Sequence, residues 1–480
     1  MSLAVMLAGL NTLRPMAPGL TLLAFAFVLV LLPRNWSSVA GSGIGLLGVL
    51  ASLAAAVLFA GVKSPERSDL LYDALAKSMP WWMAGVIPTT IGCLQRSTSP
   101  NRGFAVAGIL SAAGAVCFMA ASKTLSVLLA ASATALIGAA TIPLASSTAG
   151  SVGAIETFRH AARTMLSVLL IWVILAVGIA LLLWTDPRFD LKAPTTNRNS
   201  ATAIGSLLAT IALFSLIGWA PLSSWMRGGS LGVQLATTTM LRVAGMVAYV
   251  KLAQFVHVPS IAPIVWAWAM GAIFVNIIGL LAAGYLDRTV ARQLQSLSSI
   301  AIAFLTFADG DVRSPFFLSA MMVLVFVTIV GAGAAAALQA CEISVGGALG
   351  SPDGIRSIAV KSSLYLLAGL PLSFGFWGLK LAFSSALESG SGSGMRQATF
   401  FASVVGLIVG GFALLRRWNA LKTRPALPRM EEDCRWLVAA GLFASAIVAV
   451  AGLWPQPMAS WMQSALENLS VETTAAPLKS

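Results

Sequence analysis

Few side chains in this sequence can do acid–base, nucleophilic or metal chemistry, and those few are widely separated. The four cysteines (Cys93, Cys117, Cys341, Cys434) form no CxxC pair, and His160 and His257 stand far apart. That spacing supports neither a metal centre nor haem ligation, and the cysteines read as small apolar filler. No Walker loop, no GxGxxG after a strand and no nucleophile elbow occurs, so no catalytic or cofactor-binding residue is expected. What remains is ion handling. All 17 acidic residues fall in the polar segments between long apolar runs or at the termini, whereas Arg242, Lys251 and Lys380 lie inside runs. Ionisable groups at such depth are costly and mark ion pathways or relays. Lys251 sits near the end of its run, where a lysine snorkels to the interface. Arg242 holds its proton near neutral pH and cannot be a relay, so it needs acceptors around it. Lys380 is the relay candidate, or else a packing or snorkelling residue.

The elements that must position these groups are transmembrane helices. The chain is 58% hydrophobic and 10% charged over 480 residues, where soluble domains carry about 25% charge. Runs such as PGLTLLAFAFVLVLL (18–32), TMLSVLLIWVILAVGIALLLW (164–184) and FFLSAMMVLVFVTIVGAGAAAAL (316–338) are near the ~20 residues that cross a ~30 Å hydrocarbon core. They do not alternate as barrel strands do. Spans are expected at about 16–32, 40–61, 80–95, 103–121, 124–143, 164–184, 201–220, 234–256, 262–285, 294–308, 315–338, 364–386, 398–415 and 436–455. The fold class is thus an all-α polytopic membrane protein of about fourteen helices, a single integral membrane domain over 1–480 with a short external tail at 456–480. No cleavable signal peptide is evident in Met1–Met16. An even span count places both termini on one side. The opposite face carries 16 loop lysines and arginines against 11, largely through Arg416, Arg417, Lys422, Arg424, Arg429 and Arg435. The positive-inside rule makes that face cytoplasmic and both termini external. The charge of +13 therefore reads as topology; no loop is long enough to fold a nucleic-acid-binding face.

Three stretches resemble the antiporter-like membrane subunits of respiratory complex I, a family shared with Mrp-type cation/proton antiporters. ALFSLIGWAPLSSWM (212–226) is similar to the family's seventh span running into a Pro-x-x-x-Trp turn, here Gly218, Pro221 and Trp225. LYLLAGLPLSFGFWGLKLAF (364–383) resembles its twelfth span, with Gly369, Pro371, Gly375 and Gly378 ahead of Lys380. RQLQSLSSIAIAFL (292–305) resembles the lead-in to the tenth span, and HAARTMLSVLLIWVILAVGIALL (160–182) is a weaker fourth match. The resemblance covers roughly 160–385 and implies two inverted five-helix repeats, about 103–256 and 262–415, flanked by helices in 16–95 and 436–455, with helices seven and twelve broken. Proline removes a backbone donor. Broken helices in matched positions of two repeats point to an ion route.

The family's proton route needs a glutamate in the fifth span, lysines in the seventh and eighth, and a lysine or glutamate in the twelfth. Here the glutamate position falls near Ala131 and the seventh-span lysine becomes Leu216. The eighth-span position falls on Thr or Met with Arg242 close by, and Lys380 is displaced by one position. The resemblance thus implies a membrane-arm subunit of a complex-I-like NADH–quinone oxidoreductase in a bacterial inner membrane, its own proton route degenerate. Redox cofactors would sit only on partner subunits, and the chain's neighbours would be other membrane subunits and the lipid bilayer, with no nucleic acid. Alternatives are the membrane subunit of an inorganic-carbon uptake complex, an Mrp-type antiporter subunit, or a non-transporting scaffold. The topology is checked by a single cysteine placed at position 424: an impermeant thiol reagent added to intact cells should leave it unmodified, and modification from outside reverses the orientation.

Overall fold

The computed structural model describes residues 16–59, 74–94, 101–146, 154–185, 200–217, 231–256 and 261–285, with single residues between 358 and 453. Nine helices run through the continuous part: α1 (Ala17–Leu31), α2 (Arg34–Leu58), α3 (Ala74–Leu94), α4 (Arg102–Ala121), α5 (Leu125–Ser146), α6 (Ala154–Thr185), α7 (Ser200–Ile217), α8 (Leu231–Val256) and α9 (Ala262–Tyr285). They correspond one to one with the first nine expected spans. Described residues at Phe401, Val405, Ile408 and Phe412, and at Val438, Phe443, Ser445 and Val450, are helical too, within the expected spans 398–415 and 436–455. The expected spans from 294 to 386, and with them the twelfth-helix break, lie outside the described residues.

By length and composition, five of these helices can cross a membrane: α2 from Ala40, α4, α5 to Ala145, α6 from Phe158, and α7. Helix is the form that satisfies every backbone donor and acceptor inside lipid. Three helices start earlier than composition suggests: α2 at Arg34, α3 at Ala74 and α6 at Ala154. The extra turns are polar. Lys77, Arg159 and Arg163 are exposed there, so the helices continue past the apolar run and carry these cations outward. α1 ends at Leu31 because Leu32 precedes Pro33 and takes an extended conformation, φ −69 and ψ 143. In α3, Pro80 and Pro88 interrupt the hydrogen-bond ladder. Around Pro88, Thr89 Oγ1 donates to the Gly85 carbonyl at 2.9 Å, and Thr90 Oγ1 to those of Val86 and Ile87 at 3.0 and 2.9 Å.

Two helices form the centre. α4 packs against α1, α2, α3, α5 and α8, and α8 packs against α3, α4, α5 and α7. α6 lies outside: Leu166, Leu169, Leu170, Val173 and Val177 are exposed, while Ile171, Leu175, Ile179 and Leu182 are buried against the core. That division is what a lipid-facing helix needs, with apolar residues on both faces. Ser122–Thr124 alone link α4 and α5, which makes them antiparallel neighbours. Polar ties hold α2 to the bundle: Arg102 Nη2 donates to Ser42 Oγ at 2.6 Å, and Ser52 Oγ to the Pro18 carbonyl at 2.9 Å.

Glycine pairs set how closely the helices approach. A Cβ at Gly138 of α5 would stand 2.7 Å from the Ala112 amide nitrogen and 3.0 Å from the Gly108 carbonyl oxygen of α4. At the α6–α7 crossing, a Cβ at Gly178 would lie 2.8 Å from both the Ala209 nitrogen and the Gly205 carbonyl oxygen. One at Gly114 of α4 would lie 2.9 Å from the Gly19 carbonyl oxygen of α1. These are backbone-to-backbone contacts, the way helices associate where lipid removes the hydrophobic drive. Because backbone cannot step aside as a flexible side chain can, Gly138→Ala and Gly178→Ala should each cost about 1–3 kcal/mol. Gly43→Ala, with nothing within 4 Å of its Cβ, should be neutral or slightly stabilising. Thermal denaturation of the detergent-solubilised protein checks the contrast, and equal midpoints for all three variants would contradict it.

Candidate ion-pathway interior

α8 supplies the only described intramembrane site residues. It is the least apolar of the described helices, yet every residue from Ala236 to Tyr249 is buried. Its sequence, LGVQLATTTMLRVAGMVAYVKLAQFV, places three threonines and an arginine where lipid would otherwise lie, so the four surrounding helices act as its solvent. Arg242 is 7% exposed. It stands eleven residues after Leu231 in a 26-residue helix, about 16 Å along the axis and near its middle, deeper than the eight residues suggested by the apolar run alone. Arg242 takes part in at least one further interaction within the fold. Lys251 is half-buried, five residues before the helix end at Val256, a position suited to snorkelling.

Three hydroxyls near this helix donate to their own helices. Thr237 Oγ1 donates to the Val233 carbonyl at 2.8 Å, Thr210 Oγ1 to Ser206 at 2.7 Å, and Ser215 Oγ to Ile211 at 2.5 Å. Such back-bonding satisfies a hydroxyl in lipid without a partner across the interface. Ala131 on α5 and Leu216 on α7, where the resemblance leads one to expect an acid and a lysine, are both buried, at 8% and 1% exposure. Among the described residues, the sole carboxylate within a helix is Glu156, ahead of the apolar stretch Phe158–Thr185. Also among the described residues, no three of His, Cys, Asp and Glu are grouped so that they could hold a metal ion.

The contact between α7 and α8 was not visible in the sequence. A Cβ at Gly245 would stand 2.8 Å from Leu216 Cβ and 3.3 Å from the Ile217 nitrogen. One turn further along α8, the Tyr249 ring meets Phe214 at 5.5 Å between centroids, tilted by 37°, and Phe214 meets Trp268 of α9 edge-on at 5.6 Å and 72°. As α8 advances from 245 to 249, its partner on α7 falls back from 216–217 to 214, so the two helices are antiparallel. The one available signal was the spacing Arg242, Gly245, Tyr249 on one face of α8. Gly218, Pro221, Trp225, Gly369, Pro371, Gly375, Gly378 and Lys380 lie outside the described residues.

No protein-family model matches the sequence. NADH-quinone oxidoreductase subunit N 1 of Solidesulfovibrio magneticus is 26% identical over 304 residues, covering 59% of this chain and 64% of that protein, so the match spans less than two thirds of that curated relative. Among solved structures, a chain of the Mrp complex from Dietzia sp. DQ12-45-1b superposes with a TM-score of 0.74 at 18% identity, covering 97% of this chain and 98% of its own. A chain of respiratory complex I from Thermus thermophilus with bound aureothin gives 0.69 at 19% identity, with 92% and 98% covered. A chain of the membrane-bound sulfane sulfur reductase, an archaeal respiratory membrane complex, gives 0.70 at 15% identity, with 94% and 97% covered. At these identities the structures speak for the fold, and the sequence kinship comes from subunit N. Together they show that the chain has the fold of the antiporter-like membrane subunits of respiratory complex I and Mrp complexes, and that its sequence is similar to subunit N over about three fifths of its length.

Proposed function

We propose that this chain is a membrane-arm subunit of a complex-I-like NADH–quinone oxidoreductase whose own proton route is largely lost. It sits in the bacterial inner membrane with both termini external and assembles with other membrane subunits. Redox cofactors belong to partners. Its relative's name supports the choice of complex. The loss of the route rests chiefly on one observation: the described helices carry no carboxylate within their apolar stretches, and Ala131 and Leu216 face the interior at the family's acid and lysine positions.

A lysine relay works when burial weakens its hold on the proton and a neighbouring charge switches that hold further. A carboxylate paired with a lysine across helices five and seven supplies the switch in the family. Alanine and leucine supply none. Arg242 is a fixed charge, because a guanidinium keeps its proton. Hydroxyls turned to their own backbone offer no titratable step. Lys380 is left as the proposed residual coupling group, beside a break at Pro371 paired with one at Pro221. A second reading, an Mrp-type antiporter subunit, is favoured by the 0.74 TM-score with the Dietzia complex over 97% of the chain.

The measurement is proton flux into proteoliposomes. The chain alone should remain at the liposome background, and in the reconstituted complex Lys380→Ala should lower the protons moved per NADH oxidised. Robust pumping or exchange by the chain alone, unchanged by Lys380→Ala, would falsify the lost-route reading.

A further inference from the structure

The buried polar groups of α7 and α8 occupy two levels, and what separates them is apolar. On α8, Thr237, Thr238, Thr239 and Arg242 form one level. On α7, Thr202, Ser206 and Thr210 recur every four residues along one buried stripe. The antiparallel register, with Gly245 against Leu216 and Ile217 and with Tyr249 against Phe214, puts these two levels on opposite sides of the aromatic contact. From Arg242 to Tyr249 is seven residues, about 10 Å of helix. Every residue between them, Val243 to Ala248, is apolar and buried.

We infer that Phe214, Leu216, Gly245, Tyr249 and Trp268 form a dry layer across the α7–α8 contact that separates the polar level of α8 from that of α7. This rests on the reading of the chain as an antiporter-like subunit with a lost relay, and it assigns the block to a place. Phe214 and Tyr249 are 0% and 1% exposed. Gly245 leaves no gap between the helices, since even a Cβ there would stand 2.8 Å from Leu216 Cβ. A buried water needs two to four polar partners and room of its own; Phe214, Leu216 and Gly245 carry no polar side-chain atom, and the close approach of Gly245 to Leu216 leaves no room beside them. Ser215 does not help, because its hydroxyl is turned back to the Ile211 carbonyl. Apolar constrictions of this kind gate by excluding water. A proton cannot cross ~10 Å without a chain of water or titratable groups, so the layer insulates the Arg242 level from the hydroxyl stripe.

Hydroxyl-radical footprinting of the full-length protein in proteoliposomes, read by mass spectrometry, tests this, because oxidation in a membrane interior follows bound water. In the wild type, Phe214 and Tyr249 should stay at background oxidation. Leu216→Asn, close in size but polar, should raise oxidation of Tyr249 at least tenfold. Phe214→Leu, which removes the ring contact without adding polarity, should raise it less. A wild-type Tyr249 oxidised as fast as in Leu216→Asn overturns the layer, even if the chain conducts no protons. An unoxidised Tyr249 in a wild-type chain that does conduct supports the layer and defeats the lost-route reading instead. No rise in either variant, with elution and helical content as in the wild type, also overturns it.

Discussion

A guanidinium in the middle of a hydrocarbon slab is costly, by about 2.5–3.5 kcal/mol on insertion scales and more on an isolated helix, and α8 carries one with three threonines beside it. The rest of the fold meets the condition this creates. α8 is enclosed by α3, α4, α5 and α7, so its polar side chains see protein in place of lipid. α4 is equally central, and its many alanines and glycines let five helices gather round it without bulky spacers. The bulky apolar residues are pushed outward, to the exposed faces of α1, α2 and α6.

Close helix approach makes that enclosure tight. The Gly108–Gly138, Gly178–Gly205 and Gly19–Gly114 contacts bring backbones within reach where side chains would hold them apart. Gly245 does the same between α7 and α8, where the helices meet through Leu216 and Ile217. The same close packing shields the buried charge of Arg242.

Much of the architecture was legible because hydrocarbon thickness sets helix length. α8 was expected at 234–256 and spans Leu231–Val256; α9 was expected at 262–285 and matches. Where the expectation fell short, polar first turns were the reason: hydropathy stops at the apolar run, whereas α6 continues back through Arg163, His160 and Arg159 to Ala154. α3 was read short because Pro80, Pro88 and Lys77 interrupt its apolar signal. Arg242 and Lys251 could be found from charge inside apolar runs. The aromatic contact of Phe214, Tyr249 and Trp268 could not, because it depends on the register of three helices, and an aromatic in a membrane span is ordinary composition.

The central claim is that α8 is a polar helix kept from lipid on every side. Carbene labelling with a diazirine reagent confined to the bilayer tests it most directly, residue by residue. The account predicts labelling along the outer face of α6, at Leu166, Leu170, Val173 and Val177, and none from Ala236 to Tyr249 of α8. Labelling of Thr238, Arg242 or their neighbours at the rate seen on α6 would place α8 against lipid and contradict the account.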